Sequence, residues 1–246
     1  AIAARQEKLR EGKTVWEAER LKAESTSAWQ LLKPVAARAT RQTLELLGDH
    51  SVLAKGKLPD QDEYFVQMEA GGGTIRHVRL EALQHASLPA GGLSRVKGGN
   101  FVLTDFKMML ERAGEEPKEI KLASARATFN QGGLDVKQSI DGNAGSGWGV
   151  WPGQQGVKQP HTAVFTLAEL VKAEPEVQLV FLLKFNHSAK QHVMGRFRLS
   201  VSKDDKPAFG GDNLLLALKT PPTKRTAPMK TLIARAYSEN DPDLKR

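Results

Sequence analysis

Residues 128–151 read TFNQGGLDVKQSIDGNAGSGWGVW, and we predict the fold from this stretch outward. It joins a β-rich segment to a polar turn, Asp-Gly-Asn, and then to an aromatic strand. Asp-Gly-Asn suits a sharp turn, because Gly and Asn tolerate positive φ and the acid and amide side chains bond nearby backbone. Ile140 and Trp148 would anchor this turn in a core. The stretch therefore predicts the rim of a β-sandwich, with a loop on a rigid frame as the candidate site.

Segments of the same kind recur through the body of the chain. They are short, rich in apolar residues, and separated by Gly, Pro, Asp and Asn. In residues 63–69 the apolar side chains alternate, which places Tyr64, Val66 and Met68 on one face of a strand. Regular short strands with turns between them predict a sandwich or a barrel. The predicted strands span residues 29–35, 43–47, 51–54, 63–69, 74–83, 100–110, 119–129, 147–151, 162–167, 177–185 and 195–202.

The apolar run VQLVFLLKF at residues 177–185 predicts a central strand, because it lacks a polar face. A polar loop, residues 186–192, connects it to the alternating strand at residues 195–202. We therefore predict that these two strands form a hairpin.

Both ends of the chain have helical patterns. Thr14 and Glu17 have capping-box spacing just after Gly12, so one helix should end near Gly12 and another should begin at Val15. Thr226 is a suitable N-cap for a helix whose apolar residues recur at helical spacing. The predicted organisation is a helical arm at residues 1–27, a β-sandwich domain at residues 28–203, and a linker with C-terminal helices at residues 204–246.

Composition is that of an ordinary soluble globular protein, with 40% hydrophobic and 26% charged residues in 246. No run approaches the roughly 20 apolar residues that a membrane span needs. The absence of Cys excludes disulfides, zinc-thiolate sites and covalent c-type haem within this sequence. The chain opens AIAARQEKLR, with neither an initiator Met nor an apolar signal region, so we expect it to be a piece of a longer polypeptide.

The net charge of +8 raises the hypothesis of a polyanion as partner. The distribution of this charge argues against nucleic acid. Residues 219–246 alone hold seven Lys/Arg and three Asp/Glu, so half of the net positive charge lies in that segment. The body between the two ends carries no nucleic-acid motif.

Six blocks along the chain resemble, in their order, the β-sandwich insert of large planctomycete and verrucomicrobial proteins that combine a cytochrome c-like domain with two domains of unknown function. The terminal sequence KRTAPMKTLIARAYSENDPDLKR is similar to the helix that follows the insert there. The sequence departs from that family at residues 91–100, GGLSRVKGGN, where the family has a compact Gly-Pro-Gly-Arg, and Trp151 is an addition. The blocks are HVRLEALQHASLP (77–89), GGNFVLTDF (98–106), ATFNQGGLDVKQSIDG (127–142), GWGVWP (147–152), PHTAVFTL (160–167) and MGRFRLSVS (194–202).

The resemblance implies a mainly β fold, a jelly-roll or galactose-binding-like β-sandwich with helical N- and C-terminal extensions. It also implies a carbohydrate-binding-module-like role in a secreted, periplasmic or cell-surface multidomain protein. The partners would then be a polysaccharide and the neighbouring domains of the same polypeptide. Fold alone does not establish such a role.

Trp148 and Trp151 are candidate sugar-binding residues, because the C–H face of a pyranose stacks on an indole ring. Positions three apart on one straight strand point to opposite faces, so at most one of the two rings can face solvent. The alternative for each ring is a place in the core.

Polar candidates lie in the loops on either side. Arg95, Lys97 and Asn100, in a glycine-rich loop, would bond sugar hydroxyls or acidic groups, and the alternative is a solvated loop. His161 would donate or accept a hydrogen bond with a ligand, and the alternative is a structural histidine. Asp141 and Asn143 would supply oxygen ligands to a structural calcium, and Asn143 would also bond a glycan. The alternative for both is a turn held by its own side chains.

Three classes of function stay open after this. The first is a noncatalytic carbohydrate-binding sandwich, the second a structural spacer that positions neighbouring domains, and the third a salt-sensitive binder of sulfated or acidic glycan. An enzyme is not predicted, since the chain has no Cys nucleophile, HExxH, GxSxG or P-loop. Paired glycosidase carboxylates meet only in space, so their pattern is invisible in sequence.

Overall fold

Antiparallel strands dominate the computed structural model, which describes residues 11–21, 29–151, 153, 156–205, 207, 209, 217–218 and 220–240. The strands are β1 Gln30–Leu31, β2 Lys33–Ala39, β3 Thr43–Leu46, β4 Val52–Lys55, β5 Asp62–Glu69, β6 Gly73–Ala82, β7 Phe101–Leu103, β8 Asp105–Glu111, β9 Lys118–Ile120, β10 Leu122–Ala127, β11 Trp148–Val150, β12 His161–Ala173, β13 Gln178–Phe185 and β14 Arg196–Ser202. Short 3-10 turns lie at Pro89–Gly91, Val136–Ile140, Gly156–Lys158 and Pro222–Lys224, and the C-terminal helix spans Ala227–Asn240.

Two large sheets enclose one core in the described part of the chain. One sheet has the order β10-β12-β6-β14-β4-β3, with β1 also paired to β14, and the other has the order β2-β5-β13-β8-β9. A two-stranded sheet of β7 and β11 closes one end. Because consecutive strands repeatedly change sheets, the arrangement is a jelly roll. The predicted mainly β sandwich with helical extensions is confirmed.

Aromatic pairs join the two sheets. Phe106 of β8 stacks on Phe165 of β12 with ring centroids 4.1 Å apart, and Tyr64 of β5 stacks on Phe197 of β14 at 5.9 Å. All four side chains are buried, and full burial of such a side chain stabilises a fold by about 1.5–3 kcal/mol. The alternation predicted in β5 is confirmed by burial, and it fixes the face that each strand presents to solvent.

The stretch at residues 128–151 closes one end of the sandwich. Its 3-10 turn begins at a capping box, in which the Asp135 carboxylate accepts from the backbone of Lys137 at 2.9 Å and Gln138 Oε1 accepts from the backbone of Asp135 at 2.8 Å. Trp148 follows in β11, its ring 5.1 Å from that of Phe101 in the paired strand β7. The turn and β11 thus form a firm base for the residues that follow.

Two kinds of prediction about the strands are wrong. Residues 100–110 form two strands instead of one, because the chain leaves the β7–β11 pair at Thr104 and β8 joins β13. Residues 29–35 and 119–129 were likewise predicted as single strands, but the chain changes sheets within each of them, between β1 and β2 and between β9 and β10. The predicted hairpin of β13 and β14 does not exist, since these strands lie in opposite sheets. The loop between them crosses from one sheet to the other.

The chain divides into two compact units, Trp29–Phe209 and a second unit to which both ends of the chain belong. In the second unit residues 11–21 are helical without interruption, so the predicted break between Gly12 and Val15 is wrong. Trp16 contacts Tyr237 edge to face at 5.5 Å, and Ile233 is fully buried. Among the described helices, none has the length and apolar composition of a membrane span.

Candidate functional site

The exposed aromatic ring of Trp151 is the centre of the candidate site. Trp151 lies directly after β11 and is 37% exposed, whereas Trp148 and Val150 of that strand are fully buried. Among the exposed large apolar side chains of the described residues, that of Trp151 is aromatic and the others are aliphatic. A ring in this position offers a flat apolar surface to a ligand.

Gly98 brings a second segment against the Trp151 ring. A Cβ atom on Gly98 would lie 3.5 Å from Cζ3 of Trp151 and 2.8 Å from Oδ1 of Asn100. The lack of a side chain at Gly98 therefore lets the indole edge and the Asn100 amide lie close to the same backbone. Two of the predicted site residues, Trp151 and Asn100, are brought together here.

Backbone bonds hold the loop around Gly98 in shape. The N–H of Leu93 donates to the carbonyl of Gly99 at 2.9 Å. A Cβ atom on Gly99 would lie 3.3 Å from Cγ2 of Val157, which places the 3-10 turn at Gly156–Lys158 beside the loop. Gly99 has φ +77°, a conformation that favours glycine. We call the surface formed by Gly98, Asn100 and Trp151, together with the buried Gly99 and Val157 that pack beside it, the Trp151 shelf.

Arg95, which was predicted to contact a ligand, forms hydrogen bonds within the protein. Its guanidinium donates to Oε1 of Gln42, to the carbonyl of Lys55 at 3.1 Å and to the carbonyl of Gly56. These bonds fasten the glycine-rich loop to the end of β4. Arg95 thus steadies the loop that carries Gly98 and Asn100, and its direct contact with a ligand stays a prediction.

The predictions that Trp148 and His161 contact a ligand are wrong. Trp148 is fully buried, and its Nε1 donates to the carbonyl of Phe129 at 2.9 Å. His161 is 3% exposed, with Nδ1 3.4 Å from Oγ1 of Thr128 and its ring 5.7 Å from that of Phe129. Because both side chains are buried, Trp148 cannot stack on a sugar and His161 cannot hydrogen-bond one.

The side-chain oxygens of Asp141 and Asn143 accept hydrogen bonds from within their own turn. Oδ1 of Asp141 accepts from the backbone of Asn143 at 2.7 Å, Oδ2 accepts from the hydroxyl of Ser146 at 3.0 Å, and Oδ1 of Asn143 accepts from the backbone of Gly145 at 2.9 Å. No group of three or more His, Cys, Asp or Glu suited to a metal occurs among the described residues. Calcium favours six to eight oxygen ligands, so this donor set does not fit it.

The structure adds a shallow pocket that we did not predict from sequence. It encloses about 350 Å³ and is lined by Gln84, His85, Ala86, Gly91 and Arg196. Nδ1 of His85 accepts from the backbone of Ser87 at 3.2 Å, so the neutral ring carries its proton on Nε2. One segment, residues 84–100, contributes both to this pocket and to the Trp151 shelf.

Arg196 borders this pocket as a structural residue. Its guanidinium donates to Oγ of Ser51 and the carbonyl of Gln84, each at 2.9 Å, and to the carboxylate of Asp49. Burial raises the pKa of Asp49, but hydrogen bonds from Ser51 and the charge of Arg196 outweigh it, so that the pKa lies below its ordinary value. On the same strand Arg198 pairs with Glu81 at 3.0 Å. The two arginines of β14 are therefore neutralised by carboxylates.

A second concave surface lies at the opposite end of β6. It encloses about 400 Å³ and is lined by Gln30, Gly72, Gly73, Thr74, Val201, Ser202 and Lys203. It has no aromatic residue, so the shelf is the better candidate for a sugar.

Comparison with known proteins yields little beyond this geometry. No protein-family model and no curated protein matches the chain. Among solved structures, the chain is similar to the module CBM32-3 from a family 31 glycoside hydrolase of Clostridium perfringens, with a TM-score of 0.33, 9% identity, and coverage of 72% of this chain and 96% of that one. A similarity this remote carries no argument. The resemblance to the planctomycete and verrucomicrobial proteins stays a prediction.

Proposed function

We propose that residues 29–209 form a noncatalytic polysaccharide-binding module whose contact surface is the Trp151 shelf. The observation that carries this is an exposed indole held against Gly98, with the Asn100 amide beside it. The indole supplies a stacking surface for the C–H face of a pyranose. The amide both donates and accepts, as the hydroxyls of a sugar require. The buried base of Trp148 and the 3-10 turns keep this surface in place before a ligand arrives.

The segments that build the shelf supply no carboxylate of their own for hydrolysis. Residues 84–100 and 142–161, which supply the shelf and its surroundings, contain no Asp or Glu. Most glycosidases use two carboxyl groups that flank the scissile bond, about 5–9.5 Å apart. The segments that build the shelf hold neither of them.

Substitution of Trp151 tests the proposal. The full chain is incubated with neutral and acidic polysaccharides, and binding is measured by pull-down and by affinity electrophoresis. Loss of a central aromatic contact typically costs about 2 kcal/mol, so Trp151→Ala should weaken binding roughly 30-fold. The control is Leu170→Ala, which removes another exposed apolar side chain, 53% exposed, from β12. Retention that is equal in the two variants contradicts a role for the shelf.

The second candidate is a spacer that positions neighbouring domains of an exported protein. It is favoured by the unit in which both ends of the chain meet, where Glu17 and Arg225 form an ion pair at 2.8 Å. A spacer needs no ligand. Failure of every polysaccharide to retain the chain would favour it over the binding module.

A further inference from the structure

We propose that the Trp151 shelf takes an anionic sugar, a residue that carries a carboxylate or a sulfate ester. This inference rests on the proposed function, and it adds the charge of the ligand to it. The charges that matter here are those of the groups beside the shelf, not the net charge of the chain.

Two lysines border the shelf without a carboxylate partner. Lys97 precedes Gly98, Lys158 follows Val157, and both side chains are exposed. Neither forms an ion pair with another residue in the described part of the chain, whereas Lys33, Lys55 and Lys190 each pair with an acidic side chain. The free ammonium groups are therefore available to a bound anion.

Arg95 adds a third positive charge to the loop that carries Gly98 and Asn100. The acceptors of its guanidinium are the carbonyl and amide oxygens of Gln42, Lys55, Gly56 and Lys57. Among the described residues Arg95 forms no direct ion pair, unlike Arg196 and Arg198 on β14, and the nearby Asp62 carboxylate bonds to Gln42 instead, at 2.9 Å.

The two segments around the shelf hold only positive charge. Residues 84–100 and 142–161 contain Arg95, Lys97 and Lys158 and no acidic residue, although the whole chain has 28 Asp and Glu beside 36 Lys and Arg. Charges within about 8 Å of each other interact at physiological ionic strength, and more distant exposed charges are largely screened. We therefore expect an anionic group on the shelf to respond to the two exposed lysines that adjoin the shelf in the chain, Lys97 and Lys158, more than to distant charges.

The expected gain in affinity from each lysine is modest. Exposed ion pairs contribute about 0.2–1 kcal/mol, which corresponds to roughly a 1.5- to fivefold change in affinity for each ammonium group. With both lysines and the fixed charge of Arg95, we expect an anionic polysaccharide to bind about tenfold more tightly than its neutral counterpart at low salt.

The test uses the full chain and pairs of polysaccharides that differ only in charge. One pair is polygalacturonate and its methyl ester, and the other is a sulfated galactan and its desulfated form. Affinity electrophoresis and calorimetry measure binding at 50 mM and 300 mM NaCl. We expect the charged member of at least one pair to bind about tenfold more tightly than the neutral member at 50 mM. The pair that shows this difference identifies the anionic group as a carboxylate or a sulfate ester. We expect the double variant Lys97→Gln/Lys158→Gln to lose most of this difference while it keeps the binding of the neutral member.

The control is Lys118→Gln/Lys121→Gln, which removes the same charge from exposed lysines on and beside β9. Equal affinity for the charged and neutral members, both abolished by Trp151→Ala, overturns the anionic preference and leaves the proposed function standing. Charge-dependent binding that Trp151→Ala does not weaken, or that the control variant reduces as much, overturns the shelf as the site. Binding of none of the polysaccharides refutes the proposed function itself.

Discussion

Trp148 and Trp151 stand three positions apart and lie in different surroundings. Trp148 is fully buried against Phe101, whereas Trp151 follows the strand and is 37% exposed. Alternation along a strand predicts that these two rings cannot both face solvent. It does not predict that Gly98 lies beside the edge of the Trp151 ring, because that contact joins residues far apart in the chain. Arg95 illustrates the same limit, since its acceptors are backbone carbonyls whose positions only the fold determines.

Gly147 determines whether the strand that carries Trp148 can form. A Cβ atom at Gly147 would lie 2.4 Å from the carbonyl oxygen of Leu103 and 2.9 Å from Cα of Thr104, and backbone atoms cannot yield as a flexible side chain does. We expect Gly147→Ala to lower the free energy of unfolding by about 2 kcal/mol, in the range typical of overpacked sites. Urea denaturation followed by tryptophan fluorescence measures the change.

Gly132 provides the matched control in the same stretch. A Cβ atom there would meet nothing within 4 Å, so Gly132→Ala should leave the free energy of unfolding within about 0.5 kcal/mol. Equal losses for the two variants would contradict the close approach of Gly147 to β7.

At the scale of elements, the turn between β3 and β4 is tied to β14 through Asp49. The hydroxyl of Ser51 donates to Oδ1 of Asp49 at 2.6 Å, and Arg196 donates to the other oxygen. Because the pKa of Asp49 is lowered on folding, the carboxylate stabilises the fold above its unfolded pKa of 3.8, and this contribution is lost as the pH falls through the lower folded pKa.

Asp49→Asn should therefore reduce stability at neutral pH more than in acid. The carboxylate is 45% exposed, so we expect a loss of only about 0.5 kcal/mol at pH 7. The difference in melting temperature between the two proteins should narrow as the pH is lowered from 5 to 2.5. A gap of constant size over that range would show that the charge of Asp49 does not contribute.

The elements were predicted better than their connections. Strands such as β5 are visible because Tyr64 and Val66 alternate with solvent-facing residues, a periodicity that is local. The change of sheet at Thr104 is only weakly visible in the sequence. The buried apolar residues Leu103 and Phe106 are three positions apart there, which breaks the alternation once. Whether β13 pairs with β14 or lies opposite it depends on the whole sheet order, which no local pattern contains.

At the scale of the whole molecule, the helical unit has its own small core. Ile233 is fully buried there, and Trp16, Leu21, Met229 and Leu232 pack beside the core residues. We expect Ile233→Ala to destabilise this unit by about 2–4 kcal/mol, as large-to-small core substitutions do. Hydrogen exchange should accelerate in residues 11–21 and 227–240 and stay slow in the strands.

Val15→Ala is the control for this prediction, because Val15 is 58% exposed. It should leave exchange in both helical segments close to that of the unaltered chain. Faster exchange throughout β5 and β13 in Ile233→Ala would contradict a separate helical core.

The pairing of Trp16 with Tyr237 has a consequence for biosynthesis. Residues 11–21 are translated before all described strands of the sandwich, whereas their partner Tyr237 is translated after them. Residues 29–209 can thus complete their hydrogen-bonded ladders before the first helix meets its partner. The final packing of the helical unit should therefore follow the pairing of the strands.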